Sequence, residues 1–352
     1  MIMSMKSNHL TNSLKPLAFS FAALVLLAMI ICPQKSYAFE KNKKVVIAYV
    51  TSWSSVMPDP RYLTHINYAF GHVNDHFDGV RIDNETRLRS ITDLKKAHSQ
   101  LKVLLSIGGW GSGRFSEMAA DATKRKKFAA DCARVVKEFK LDGIDIDWEY
   151  PTNSSAGISA TESDTENFTL LMRDIRKAIG RKKLLTLASV SSGQYIAFDQ
   201  IKNDVDFVNI MTYDSGNPPY HHASLHRSSL SGRTTCAEAV KAHIAGGMPA
   251  EKLVLGIPFY GRGNKTDIKG FIDYKDLLDL QGFEQKWDDE AKAHYLVNTQ
   301  GALVLTFETP ESIAMKCDYV HEQGLLGAMY WEYAGDTEGG ILRDAVYKGI
   351  IR

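Results

Sequence analysis

Cysteine is scarce. There are four in 352 residues; Cys32 falls in a leader-like segment, and Cys132, Cys236 and Cys317 are odd in number and far apart. That excludes a small disulfide-stapled fold and a cysteine-rich metal site. It leaves buried free thiols as the reading and one disulfide as the alternative. The net charge is only +1, so there is no electrostatic footprint for nucleic acid or an anionic membrane surface. No GxGxxG is present, and Gly109-Trp110-Gly111-Ser112-Gly113 lacks the third fingerprint glycine and a P-loop Lys, which excludes a nucleotide-phosphate cradle. The histidines form no HExxH, and His221, His222 and His226 occupy a Pro-containing loop without zinc-ligand spacing. No metal or organic cofactor is expected.

A membrane span is missing too. The longest apolar run, residues 17–32, is broken by Ser20 and falls short of the roughly 20 residues a bilayer needs. Lys6 and Lys15 precede it and Ser36-Tyr37-Ala38 follows it, the pattern of a cleavable export signal over residues 1–38. An uncleaved anchor is the alternative. The expected protein is secreted or periplasmic, monomeric, and not inserted in a membrane once the signal is removed.

What is present is a repeated pattern. Short apolar runs recur at 45–50, 65–70, 102–107, 143–148, 184–189, 207–212, 253–258 and 326–331. Amphipathic stretches separate them, such as 124–139 with Phe128, Cys132, Val135, Val136 and Phe139 at helical spacing. Continuous apolar strands alternating with helices indicate parallel strands covered by helices. Eight such units predict a single (β/α)8 TIM barrel over residues 39–352. Residues 263–303 are too long for an ordinary βα loop. They predict a small insertion between the seventh strand and its helix.

The fourth run holds the chemistry. Asp145, Asp147 and Glu149 stand at i, i+2 and i+4, so all three face one side of a strand while Ile144, Ile146 and Trp148 face the other. Folding alone gives no reason for three repelling acids on one face. An EF-hand starting at Asp145 fails because Tyr150 stands where that loop needs Gly. Asp142 is off-parity and is read as a buttress for the strand start. In a barrel the active site lies at the C-terminal ends of the strands. There the sequence places Tyr49, Phe70, Trp110, Met211, Tyr213, Asp214, Tyr260, Arg262 and Trp331. Flat aromatic faces beside carboxylates suit a sugar, and glycoside hydrolysis is a reaction that carboxylates alone can run.

Asp147 and Glu149 lie roughly 6.6 Å apart along the strand and approach a substrate from the same side, whereas a retaining nucleophile and its acid flank the ring. The arrangement therefore points to Glu149 as proton donor and to Asp147 as support for a nucleophile carried by the substrate, such as a 2-acetamido oxygen. Asp145 is expected to share a proton with Asp147, and crowding to raise the pKa of Glu149. Ser106 is expected to support Asp145 by a hydrogen bond.

Asp142-Gly143-Ile144-Asp145-Ile146-Asp147-Trp148-Glu149-Tyr150-Pro151 resembles the DGxDxDWEYP motif of the glycoside hydrolase family 18 chitinases. Ser106-Ile107-Gly108-Gly109 resembles that family's SxGG motif, Met211-Thr212-Tyr213-Asp214 its MxYD motif, and Trp331 the tryptophan that closes its eighth strand. The resemblance implies retaining, substrate-assisted hydrolysis of β-1,4-linked N-acetylglucosamine, with chitin or chitooligosaccharides as partner. It makes Glu149 the acid, Asp147 its acetamido-orienting partner, Tyr213 the donor to the acetamido oxygen and Asp214 a holder of the distorted sugar. Trp331 would floor the subsite, with Tyr49 and Phe70 lining it. Trp110, Met211, Tyr150 and Arg262 complete the expected substrate-binding set, with Arg262 open to being an ion-pair partner instead. Gly108, Gly109, Ser106 and Asp142 are expected as supports. The insertion is shorter than in many exo-acting members, which argues against a deep tunnel. The alternatives are an endo-β-N-acetylglucosaminidase, a peptidoglycan-directed hydrolase, and a non-catalytic chitin lectin; such lectins typically lose the acid that Glu149 supplies here.

Overall fold

The computed structural model describes residues 43–351. The export signal expected over residues 1–38 lies outside them. From the N-terminal side, β1 (Val45–Thr51) and β2 (His65–Val73) come first, and β2 folds back on β3 (Val80–Ile82) before α1 (Glu85–Asp93). Next, β4 (Lys102–Gly108) leads to α2 (Phe115–Ala120) and α3 (Ala122–Glu138), and β5 (Gly143–Asp147) to α4 (Asp164–Ile179). The units β6 (Leu184–Val190) with α5 (Phe198–Ile201) and β7 (Phe207–Met211) with α6 (Cys236–Ala245) follow. After β8 (Leu253–Pro258) come β9 (Tyr260–Gly263), β10 (Ile272–Asp273), α7 (Tyr274–Leu277), β11 (Glu284–Asp288), β12 (Ala293–Val297) and β13 (Leu303–Phe307). Finally, α8 (Pro310–Glu322), β14 (Gly327–Trp331) and α9 (Ile341–Ile350) complete the order.

Eight parallel strands pair in the order β1, β14, β8, β7, β6, β5, β4, β2, and β1 pairs directly with β2, so the sheet closes on itself as a (β/α)8 barrel. Each predicted apolar run lies on one of these strands to within a few residues. Strand parity sorts the side chains into two layers. Val46, Ala48 and Val50 face the helices, while Val45, Ile47 and Tyr49 join Phe207, Val254 and Met329 inside the barrel. On β5 the same alternation sends Ile144 and Ile146 outward, and Trp148 just beyond them, into the helix layer against Phe115 and Phe168. Asp145 and Asp147 are therefore left facing in. Helix α3 buries Phe128, Cys132, Val135 and Val136 on one face, and Asp121 caps it by accepting from the backbone N–H groups of Thr123 and Lys124. Cys132, Cys236 and Cys317 are free and buried.

The insertion differs in extent from the sequence expectation of 263–303. Its five-stranded sheet, ordered β10, β9, β13, β12, β11, spans residues 260–307. The reason is tertiary. β9 and β13 pair antiparallel, with Leu305 opposite Gly263 and Thr306 opposite Arg262, so the two segments leaving and rejoining the barrel are themselves strands. Neither shows an alternation strong enough to mark it in isolation.

One buried ion pair ties the region after β13 to the loop after β7. Lys316 on α8, with a fully buried side chain, pairs with Glu308 and donates to the Ala223 carbonyl at 2.6 Å. Glu308 also accepts from Ser312 at 2.7 Å. Lys316→Ala leaves a buried carboxylate without its counter-charge, and the expected loss is about 3–5 kcal/mol of stability. Urea denaturation checks this; an unchanged midpoint would show that the pair contributes nothing.

Candidate active site

The C-terminal edge of the barrel opens into a cleft of about 1040 Å³. It brings together Glu149, Asp147, Tyr213, Asp214, Trp331, Tyr49, Phe70, Trp110, Met211, Tyr150 and Arg262. Asp145 and Ser106 lie beneath it, fully buried. Asp142 sits at the opposite end of β5, where it accepts from Lys95 at 2.7 Å and from the Val103 backbone N–H at 2.9 Å. That places it away from any substrate.

Asp145 is saturated with hydrogen bonds. One carboxylate oxygen accepts from Tyr49 at 2.9 Å and Ser106 at 2.8 Å, the other from Thr186 at 2.6 Å and Asn209 at 3.2 Å. Burial raises its pKa, and these four donors work against that rise. No hydrogen bond joins Asp145 to Asp147 among the described residues, and one oxygen of Asp147 is buried without a partner. Barrel side chains thus already engage both oxygens of Asp145, for which the sequence suggested a proton shared with Asp147. Burial, with the charges of Glu149 and Asp145 behind it, holds Asp147 well above the usual carboxylate range.

Glu149 has its pKa raised to about 7. Burial is the main cause, Tyr150 pulls the other way, and the Asp214 charge adds to the rise. The crowding read from the sequence acts on the pair: Glu149 and Asp147 repel each other, and burial adds the larger share. Burial acts strongly because only 9 % of the residue meets solvent.

Asp214 adopts a left-handed conformation, φ 58°. Arg262 donates to both its oxygens, at 2.7 and 2.6 Å, and His222 Nδ1 stands 3.6 Å away. Burial pushes Asp214 up, but His222 and Arg262 outweigh it and hold the carboxyl well below the usual range. Among the described residues the Tyr213 hydroxyl has only the weak acceptor Met329 Sδ, at 4.0 Å. Above these groups Trp331 stacks on Phe70 at 5.6 Å and 20°, with Tyr49 at 5.6 Å and Trp53 at 6.5 Å. On another part of the cleft lining, Tyr150 stacks on Tyr195 at 5.7 Å beside the exposed Trp110. The peptide bonds 69–70, 149–150 and 331–332 are cis.

Both glycines after β4 have a steric reason. At Gly108 (φ 130°) a Cβ would meet the Asp147 carbonyl oxygen at 2.0 Å, and at Gly109 (φ 94°) it would meet the Phe70 ring at 2.6 Å. The turn can therefore lie directly against the catalytic strand, with the Gly109 N–H donating to the Asp147 carbonyl at 2.8 Å.

Sequence reasoning missed Thr186 and Asn209 as partners of Asp145. Their signal was available: each is a lone polar residue at an inward position in an apolar strand. Tyr195, Phe271, Arg233 and Lys265 also line the cleft, but they lie on loops or the insertion, where no periodicity announces a direction. Among the described residues no group of three or more His, Cys, Asp and Glu side chains is placed to hold a metal ion.

The sequence profile of the glycosyl hydrolases family 18 matches residues 45–336. The chain belongs to glycoside hydrolase family 18. Within family 18, it is 29% identical to chitinase A1 of Niallia circulans over 92% of this chain and 62% of that protein, so it spans less than two thirds of that relative's length. Among solved structures, the family 18 N-acetylglucosaminidase of Paenibacillus barengoltzii is 34% identical, with a TM-score of 0.79 over 87% of this chain and 100% of that one. The Ostrinia furnacalis group IV chitinase in complex with allosamidin is 26% identical, with a TM-score of 0.78 over 88% of this chain and 98% of that one.

Proposed function

We propose that this family 18 member hydrolyses β-1,4-linked N-acetylglucosamine chains or oligomers with retention, using the substrate's own acetamido group as nucleophile. The observation that carries this reading is the distribution of carboxylates. Among the described residues lining the cleft these are Asp147, at the end of β5, Glu149, two residues beyond it, and Asp214, engaged by Arg262. No further carboxylate of the lining stands opposite Glu149 as an enzymic nucleophile would.

In the proposed reaction the sugar before the scissile bond rests on Trp331. Glu149, still protonated near neutrality, gives its proton to the glycosidic oxygen. The acetamido carbonyl oxygen attacks C1, the C1–O bond breaks, and an oxazolinium forms. Asp147 accepts from the acetamido N–H, and the underused Tyr213 hydroxyl donates to the acetamido oxygen. Water then adds to C1 while Glu149, now a carboxylate, takes its proton. The sugar leaves with its original anomeric configuration.

The pH dependence follows from the sign of the Glu149 shift. The acid form is the active one, so kcat/KM is expected to fall tenfold per pH unit above about 7, the value to which Glu149 is raised. A profile flat from pH 6 to roughly 9 would place the proton donor elsewhere.

A product profile on N-acetylglucosamine tetramers to hexamers, peptidoglycan and a high-mannose glycoprotein tests the substrate class. Internal cleavage of the oligomers supports the chitinase reading, and no cleavage of any oligomer refutes it. Release of single sugars from one end supports a second reading, an N-acetylglucosaminidase. That reading is favoured by the 34% identity to the P. barengoltzii N-acetylglucosaminidase. We also propose export, on the pattern of residues 1–38. A mature N-terminus beginning at Phe39 supports it, and an intact Met1 retained in the cytoplasm refutes it.

A further inference from the structure

We propose that the cleft selects chains in which the sugar next to the N-acetylglucosamine carries a carboxylate. This rests on the proposed function and adds a substrate class to the same site. The geometry lies in the wall built by the loop after β7 and by the segment joining β9 to β10. That wall places Arg233, Arg262 and Lys265 along the cleft. Arg262 is neutralised by Asp214. The other two are not. Arg233 donates one N–H to the Asp214 backbone carbonyl at 3.0 Å, which fixes its guanidinium beside the catalytic turn. Lys265 (φ 70°) lays its stem across Gly270. A Cβ at Gly270 would meet the Lys265 Cε at 3.0 Å and its Cγ at 3.1 Å, so the glycine is the seat of that side chain.

Among the described residues neither Arg233 nor Lys265 forms an ion pair with a carboxylate. By contrast Arg227 on the same loop pairs with Glu238, and Lys275, Lys286 and Lys292 of the insertion pair with Asp273, Glu284 and Asp289. Lys269 is exposed and does not line the cleft. The cations left uncompensated in the cleft lining are thus Arg233, which touches the Asp214 backbone, and Lys265.

A neutral polymer of N-acetylglucosamine can take hydrogen bonds from them but no charge–charge attraction. Chitin-like chains need stacking faces and hydrogen bonds, which Trp331, Tyr195, Asn153 and Gln194 offer in the same cleft. Two unpaired cations in a concave wall create a positive potential that draws in an anion and repels the ammonium of a deacetylated sugar. The acetamido requirement at Asp147 and Tyr213 keeps N-acetylglucosamine at the cleaved position. The anion must therefore sit on its neighbour. Two sugars bring a carboxylate there: N-acetylmuramic acid, through its lactyl ether, and a hexuronic acid.

The test compares, with the full-length enzyme, peptide-free tetrasaccharides alternating N-acetylglucosamine with N-acetylmuramic acid or with glucuronic acid. Each is paired with its carboxyl-reduced alcohol. The expected result is a kcat/KM ratio of carboxylate to alcohol of about ten at low ionic strength for at least one pair. That ratio collapses towards one in roughly 1 M salt, where the Debye length is about 3 Å, and in the Arg233→Ser, Lys265→Ser double variant. Because the ratio is taken within one enzyme preparation, partial misfolding of the variant does not imitate the effect. Which pair shows the ratio identifies the source of the carboxylate. A ratio of one for both pairs in the wild-type enzyme, or a ratio that survives the double variant, overturns the proposal. Hydrolysis of neutral N-acetylglucosamine tetramer in parallel keeps the outcome separate from failure of the proposed function itself.

Discussion

Replacing Glu149 with Gln lowers kcat on an N-acetylglucosamine oligomer by roughly 10²–10⁴-fold, the range of a single positioned general acid, while oligosaccharide affinity is kept. The amide keeps the shape and the contact with Tyr150 but has no proton to give. The aromatic floor of Trp331, Phe70 and Tyr49 does not depend on it. The two readouts must therefore separate. Turnover is followed by reducing-end release and affinity by calorimetry; wild-type turnover would place the proton donor at another residue, and lost affinity would mean that Glu149 builds the site instead of working in it.

Removing Asp147 has a comparable effect by another route. Asp147→Ala is expected to lower kcat by about 10²–10³-fold, the scale of one lost preorganised partner to developing charge. It is also expected to weaken a thiazoline analogue of the oxazolinium by a similar factor, because that compound presents the ring the carboxylate is placed to hold. Glu149→Gln leaves thiazoline binding nearly intact. This contrast separates substrate assistance from an enzymic nucleophile. If neither variant changes thiazoline affinity, or the wild-type enzyme does not bind it, the acetamido mechanism fails.

Both predictions depend on Asp147 lying where sequence parity puts it. The alternation of Asp145, Asp147 and Glu149 with Ile144, Ile146 and Trp148 was legible without a structure, and so were the eight strand-like runs that surround it. The environment of those acids was less so. Ser106 was expected beside Asp145 and donates to it, but the donors Tyr49, Thr186 and Asn209 were not read from the sequence. Glu149 was expected to be raised by its neighbour on the strand, and burial is the larger cause. His222, which no motif marks, turns out to stand behind Asp214 against Tyr260.

By itself the sequence determined the eight barrel strands, the barrel class and the face on which the acids lie. Those follow from backbone geometry: successive side chains on a strand point to opposite sides whatever the rest of the chain does. Tertiary structure decided which charges are satisfied and which are left over. The donors to Asp145 come from positions 96, 39, 41 and 64 residues away, and Arg262 reaches Asp214 across 48 residues. Ion pairs and hydrogen bonds act over a few ångströms, so only closure of the barrel, with the insertion laid against its rim, could set them. The same closure leaves Arg233 and Lys265 unpaired beside the cleft.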